Sequence, residues 1–401
     1  MQAPLPATAA SYARRDVVHE LQVGAAEADI TPTDLPYLGG FGINRVATAV
    51  HAPLLARAFV IRAGARRIAI VGVDSLGLQR HDADWIKGGL VGFALGDVFL
   101  CSSHTHAGPD PIGLWGYYGF VSGRDAAYIQ RVRVGVAAAV AAAEANCRPA
   151  KLVRGLARLP GEGLVRNPNR QGVFDRDLHV LHAVGREDGA PLGTIVHLAC
   201  HPEVLSRHET LLSPDFVGTL CDDWKARGHG QAVFVNGALG AMVSPGVKER
   251  GVAGTEAMGR ALCDLAEGAL AAATPLPVDE LEVRRRDVFM PMESLGLIFG
   301  RQTGVIPRPT HAGCLRTSVG YLRLGALEIA CVPGEMEPGL AERVRRETRR
   351  PRLWVFGLCD DELGYLLSAR DAGDREFAYE RSMSPGADAG ERVVRALVRV
   401  D

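Results

Sequence analysis

Short runs dense in Val, Ile and Leu alternate along the chain with longer segments whose apolar residues recur at helical spacing. Strands are predicted at 57–62 (RAFVIR), 67–73 (RIAIVGV), 97–103 (DVFLCSS), 178–184 (LHVLHAV), 193–200 (GTIVHLAC), 232–237 (AVFVNG), 321–325 (YLRLG), 327–332 (LEIACV) and 353–358 (LWVFGL). Gly, Pro or Asp bounds these runs, as expected where extended pairing stops. Helices are predicted over 126–145, capped by Asp125, over 256–273, capped by Thr255, and over 387–400 at the end of the chain. The 34–42 segment, DLPYLGGFG, reads as a loop, and 360–390 as a long irregular stretch. No low-complexity linker interrupts the alternation. The expectation is one α/β domain spanning 1–401, with mixed β-sheets flanked by helices and a flexible N-terminal segment at 1–20.

Composition narrows the class. The 401 residues are 47% hydrophobic and 23% charged, ordinary for a globular protein able to bury a large core. Lys+Arg 45 against Asp+Glu 46 leaves a net charge of -1, and no basic block is interleaved with aromatics, so no nucleic-acid partner is expected. No window reaches the ~18–20 uncharged apolar residues of a membrane span, and Arg14, Arg15 and Asp16 interrupt any secretory h-region. The eight cysteines form no CxxC pair and several sit in apolar runs, which reads as reduced thiols of a cytoplasmic protein. Neither GxGxxG after a strand nor GxxxxGK[ST] is present, so nucleotide binding has no support.

Several strand ends carry candidate chemistry. In CSSHTHAGPD (101–110), His104 and His106 would share one face of an extended segment, either both binding one metal, or one binding while the other acts on substrate, or both as half-exposed polar residues. His201 follows a strand directly and precedes Pro202, either as a ligand or as an edge histidine, whereas His197 falls inside the strand and reads as core. Glu335, after the strand of CVPGEMEPG, would complete a His2Glu zinc set or cap the helix beginning near Pro338. Ser244, in VNGALGAMVSPG, is presented at a glycine-rich turn that is not a GxSxG elbow. Tyr365 and Tyr379 in 360–390 either hold an oxyanion or pack.

Together the segments VGAAEADITP (23–32), GGFG (39–42), VHAPLLARAFVI (50–61), SSHTHAGPD (102–110), HLACHPEVL (197–205), LSPDFVG (212–218), VPGE (332–335), LGYLL (363–367) and YERSMSPGA (379–387) resemble, in order, the catalytic domain of the neutral/alkaline non-lysosomal ceramidase family. The resemblance is to the catalytic domain only, and none of the 401 residues is expected to form the C-terminal immunoglobulin-like domain of full-length ceramidases. The resemblance implies a single Zn2+ held by His104, His201, Glu335 and Tyr365, with His106 facing substrate, Tyr379 stabilising a tetrahedral intermediate, and Arg170 of NPNR, or Arg166, matching the family's arginine. Where the family's turn reads like GDxSP, this chain has GAMVSP, without the acid and one residue longer, with Ser244 at the matching position. The activity implied is amide hydrolysis of a small N-acyl, peptide-like or lipid-like substrate by zinc-bound hydroxide. A non-catalytic binding protein on the same fold and a serine esterase using Ser244 are the other readings.

Overall fold

The computed structural model describes residues 11–400. Two sheets stack face to face, and helices cover both outer surfaces. The larger sheet has nine strands; eight run in the order Ala232–Asn236, Pro191–Leu198, Asp177–Gly185, Arg148–Arg158, Leu21–Asp29, Leu55–Ala63, Arg66–Val73, Val98–Ser102, and Thr274–Leu276 pairs beside Arg148–Arg158. Both outermost pairings are parallel and the interior ones antiparallel. The smaller sheet runs Ser11–Val17, Glu280–Pro291, Cys314–Leu324, Leu327–Cys331, Trp354–Phe356.

Side-chain alternation explains the layering. Along Arg66–Val73, Ile68 and Ile70 enter the core between the sheets, while Ala69, Val71 and Val73 face the core under helix Ala126–Ala145. Leu322 and Leu324 likewise face the larger sheet, and Val319 and Tyr321 face helices Pro338–Glu347 and Ala389–Val398. Strands buried on both faces must be apolar throughout, which is why these runs look continuous rather than alternating.

The larger sheet curls until its two edge strands meet one segment of the smaller sheet's side. Gly357 N–H donates to Asn236 C=O, Ser102 N–H to Leu358 C=O, and Asp360 N–H to Leu100 C=O. The C-terminal ends of four strands, Val98–Ser102, Pro191–Leu198, Leu327–Cys331 and Trp354–Phe356, thereby gather at one rim.

The nine expected strands are all present. Four expectations need correction. Ser11–Val17 is a strand paired with Glu280–Pro291, so the N-terminal segment expected to be flexible over 1–20 is ordered from Ser11; residues 1–10 lie outside the described residues. Thr255 caps nothing: its helix starts at Gly251, and its hydroxyl donates back to Val252 C=O. The strand expected to reach 103 stops at Ser102, so His104 and His106 lie beyond it. The irregular stretch 360–390 contains the two-residue strand Tyr365–Leu366 and the short helices Ala369–Ala372 and Ala378–Ser382.

Candidate metal centre

His104 does not sit on an extended face. Its φ of 72° lies in the left-handed region, and its N–H donates to Ser75 C=O. The turn throws the ring inward, where Nδ1 meets the Leu76 carbonyl at 2.6 Å. His201 is fixed in the same way, its Nδ1 2.8 Å from the Val243 carbonyl. A carbonyl only accepts, so each Nδ1 carries a proton and each Nε2 is the nitrogen left to face a ligand. Both Nε2 atoms converge on one carboxylate: Glu335 Oε2 is 3.6 Å from His104 Nε2 and 3.1 Å from His201 Nε2. All three residues are buried.

Asn236 holds the two histidine loops together. Its amide nitrogen donates to the carbonyls of Ser103 and Cys200 at 2.8 Å each, and its oxygen accepts from Cys200 and Gly237 N–H. Buried and fully satisfied at the end of edge strand Ala232–Asn236, it ties the loop after Val98–Ser102, which carries His104, to the loop after Pro191–Leu198, which carries His201. His106 N–H adds a bond to Pro202 C=O. Below them, Asp215 accepts from Leu205 and Phe216 N–H and anchors the loop carrying His201.

His106 shares the pocket but not the pattern. Its ring stands edge-on to His104 at 5.0 Å and to Phe41 at 4.8 Å, and neither ring nitrogen has a hydrogen-bond partner. Glu203 is its nearest carboxylate, 3.8 Å from Nδ1. Gly40, at φ +106°, packs beneath the ring; a Cβ there would lie 2.6 Å from His106 Cγ. Glu335 is joined by Glu362, whose carboxylate lies with the ligand atoms of His104 and Glu335 within 4.8 Å of one another. The second group meeting that limit is His104, His106 and His201.

Electrostatics follow from burial and this clustering. Burial pushes His104 down to about 4 and, with the neighbouring His104 and His201, holds His106 well below its ordinary value. Burial also opposes charge on His201, but the Glu335 hydrogen bond and charge prevail and raise it. Burial would raise Glu335, yet His104 and His201 hold it below the usual carboxylate range. Glu362 is the reverse case: burial, then the charge of Glu335, lifts it far above that range.

The tyrosines arrive from the segment after Trp354–Phe356. Tyr365 is buried, its hydroxyl 3.2 Å from Met242 Sδ and interacting with Glu335. Tyr379, half exposed, stands 6.1 Å from it ring to ring, and burial followed by Glu335 pushes it up to about 12. Both line a cavity that also exposes His104, His106, Glu335 and Glu362.

Of the expected residues, His201, Arg170 and Ser244 do not line this cavity. Arg170 is clamped by the Asp371 carboxylate and lies over the Phe377 ring; Asn169 beside it binds Glu380, so this segment braces the turn that carries Tyr379. Arg166 pairs with Ser244 in a two-residue ladder, and Ser244, with no histidine bonded to it, is buried outside the cavity. The arginines lining the cavity are Arg301 and Arg308. Asn236, Glu362 and Gln79 also escaped the sequence reading. A strand ending in Asn-Gly at 236–237 was the available signal for the first.

No family model matches the sequence. Among solved structures, neutral ceramidase from Pseudomonas aeruginosa superposes with a TM-score of 0.79 over 96% of this chain and 74% of that one, at 18% identity. A ceramidase complexed with C2 gives the same score and identity, over 96% and 75% of the two chains. The chain has the neutral ceramidase fold. On that fold, His104, His201, Glu335 and Tyr365 gather at one rim although up to 261 residues separate them. Two imidazoles with their Nδ1 atoms tied to backbone carbonyls and their Nε2 atoms facing a shared carboxylate form a donor set suited, once each Nε2 gives up any proton, to a divalent metal such as zinc.

Proposed function

We propose that the chain is a zinc-dependent amidohydrolase acting on an N-acyl or peptide-like amide. The observation that carries this reading is the convergence of His104 Nε2 and His201 Nε2 on Glu335, each imidazole fixed through Nδ1. The likeness to the Pseudomonas aeruginosa neutral ceramidase supports amide hydrolysis as the reaction. His104, His201 and Glu335 would hold the ion, with Tyr365 beside them. When bound there, zinc acidifies water to a pKa of ~7 and polarises a carbonyl.

The chain's own groups supply the rest. His106, neutral and with both nitrogens unpartnered, takes up a proton as water attacks and returns it to the leaving nitrogen. Tyr379 keeps its proton well above neutral pH and donates its O–H to the oxygen that gains charge. Arg170 acts by bracing the Tyr379 turn through Asp371 rather than by touching the oxyanion. The apolar wall of Leu76, Ile112, Trp115, Leu297 and Ile306 excludes water from one arm of the substrate.

Purified protein assayed against a panel of N-acyl amines, with chelator and after zinc addition, tests the reading. Cleavage lost to chelator and restored by zinc is expected. Absence of cleavage across the panel refutes the enzyme reading, and chelator-insensitive cleavage blocked by a covalent serine reagent would return the case to Ser244.

A further inference from the structure

The cavity beside the metal centre is mostly apolar, yet besides His106 and Glu362 at its metal end two further side chains keep a buried polar atom without a partner. Gln79, fully buried, spends its amide nitrogen on Ile112 C=O at 3.0 Å and leaves Oε1 unbonded. Arg301, in the last turn of helix Leu295–Gln302, lines the cavity with Nε buried and unbonded. No carboxylate among the described residues lies within ion-pair distance of it. The other arginine of the cavity, Arg308, is occupied by Asp361 and by Glu362 C=O at 3.1 Å.

A cation near a helix C-terminus is favoured by the dipole alone. That accounts for the charge of Arg301, not for walling its Nε into the apolar cavity that Gln79 also lines. A plain hydrocarbon arm filling this space would strip water from both groups and offer nothing in return. An arm with a hydrogen-bond donor along its length and an anion at its tip would satisfy them. We infer that the cavity receives a substrate arm ending in a carboxylate, with Arg301 as its counter-ion and Gln79 accepting a hydrogen bond from an N–H or O–H nearer the reacting amide. Glu362 does not oppose this placement, because it stands with His104 and Glu335 at the metal end of the cavity. That the arm belongs to an amide rests on the amidohydrolase reading; the anion preference does not.

The test uses the full chain loaded with zinc, and calorimetric binding of α,ω-dicarboxylates of four to eight carbons against the monocarboxylates of equal length. At one length the dicarboxylate is expected to bind about 10- to 100-fold more tightly. Arg301→Met, similar in length and apolar, should erase that preference and leave monocarboxylate binding unchanged, while Arg301→Lys keeps most of it. A matched pair of N-acyl amides, one ω-carboxylated, should show the same ratio in kcat/KM. Equal binding of the two series by the natural protein, or a preference that survives Arg301→Met, overturns the inference. A dicarboxylate preference without cleavage of any amide would instead sink the amidohydrolase reading and leave the anion site standing. Cleavage of both amides at equal rates with no binding preference would do the opposite.

Discussion

His104→Ala and His106→Ala should fail in different ways, although the two rings touch. Zinc bound to small peptides at neutral pH is worth about 10–16 kcal/mol, so each of four ligands carries roughly 3–4 kcal/mol, or ~10²–10³ in Kd. His104→Ala removes one such ligand and leaves the Leu76 carbonyl, 2.6 Å from Nδ1, without its donor. His106→Ala breaks no side-chain hydrogen bond, because both its nitrogens lack partners. It should keep its metal and lose ~10²–10⁴ in kcat, the scale of one general acid–base group. Metal content after dialysis into a zinc-buffered solution, with steady-state rates on the same samples, reads both effects. Full zinc in His104→Ala would refute the ligand assignment. Metal loss in His106→Ala with retention in His104→Ala would exchange the two roles, since the His106 ring also lies close to His201.

Further outcomes follow from the surrounding structure. Gly40→Ala places a Cβ against the His106 ring at a φ of +106°, and should lower kcat at least tenfold while zinc content stays full, measured as above. Asn236→Asp keeps the shape but faces the Ser103 and Cys200 carbonyls with oxygen in place of a donor; metal affinity should fall ~10–100-fold in a competition titration. Asp360 is buried against Arg285 and Lys87, and Asp360→Asn should cost ~3–5 kcal/mol in a denaturant melt at neutral pH by leaving those cations uncompensated. Burial would raise this carboxyl, but Arg285 and then Lys87 hold it at about 2 against a usual 3.8. Its stabilising contribution is therefore complete above 3.8 and fades as pH falls through 2, and the gap between variant and natural protein should narrow over that window.

Strand positions were readable because sheets buried on both faces demand unbroken apolar runs, and those runs stand out against Gly, Pro and Asp. Glu280–Pro291 was invisible by the same logic: its Arg284-Arg285-Arg286 run looks solvated, yet Arg285 is buried, paired with Asp360 and donating to Val98 C=O at the edge of the larger sheet. The histidines were legible as a pair, but the reason offered was a shared strand face, and the structure supplies a left-handed turn instead. Glu335 was legible through its strand-end placement. Arg170 was not, because nothing in NPNR reveals that Asp371, 201 residues away, will claim its guanidinium. Unpaired groups such as Gln79 Oε1 and Arg301 Nε are properties of packing and leave no mark on a sequence.

The curl of the larger sheet against the smaller one gives the metal a mechanical meaning. His104 follows Val98–Ser102 at one edge of the larger sheet, His201 follows Pro191–Leu198 beside the opposite edge strand, and Glu335 follows Leu327–Cys331 of the smaller sheet. An ion gripped by all three is a staple through three separate stretches of the core, and it can close only after the two sheets have docked. Metal uptake by a refolding chain would then time the last assembly step. Loss of the ion on heating should coincide with separation of the layers, with the loaded protein gaining RT ln(1 + [metal]/Kd) in stability.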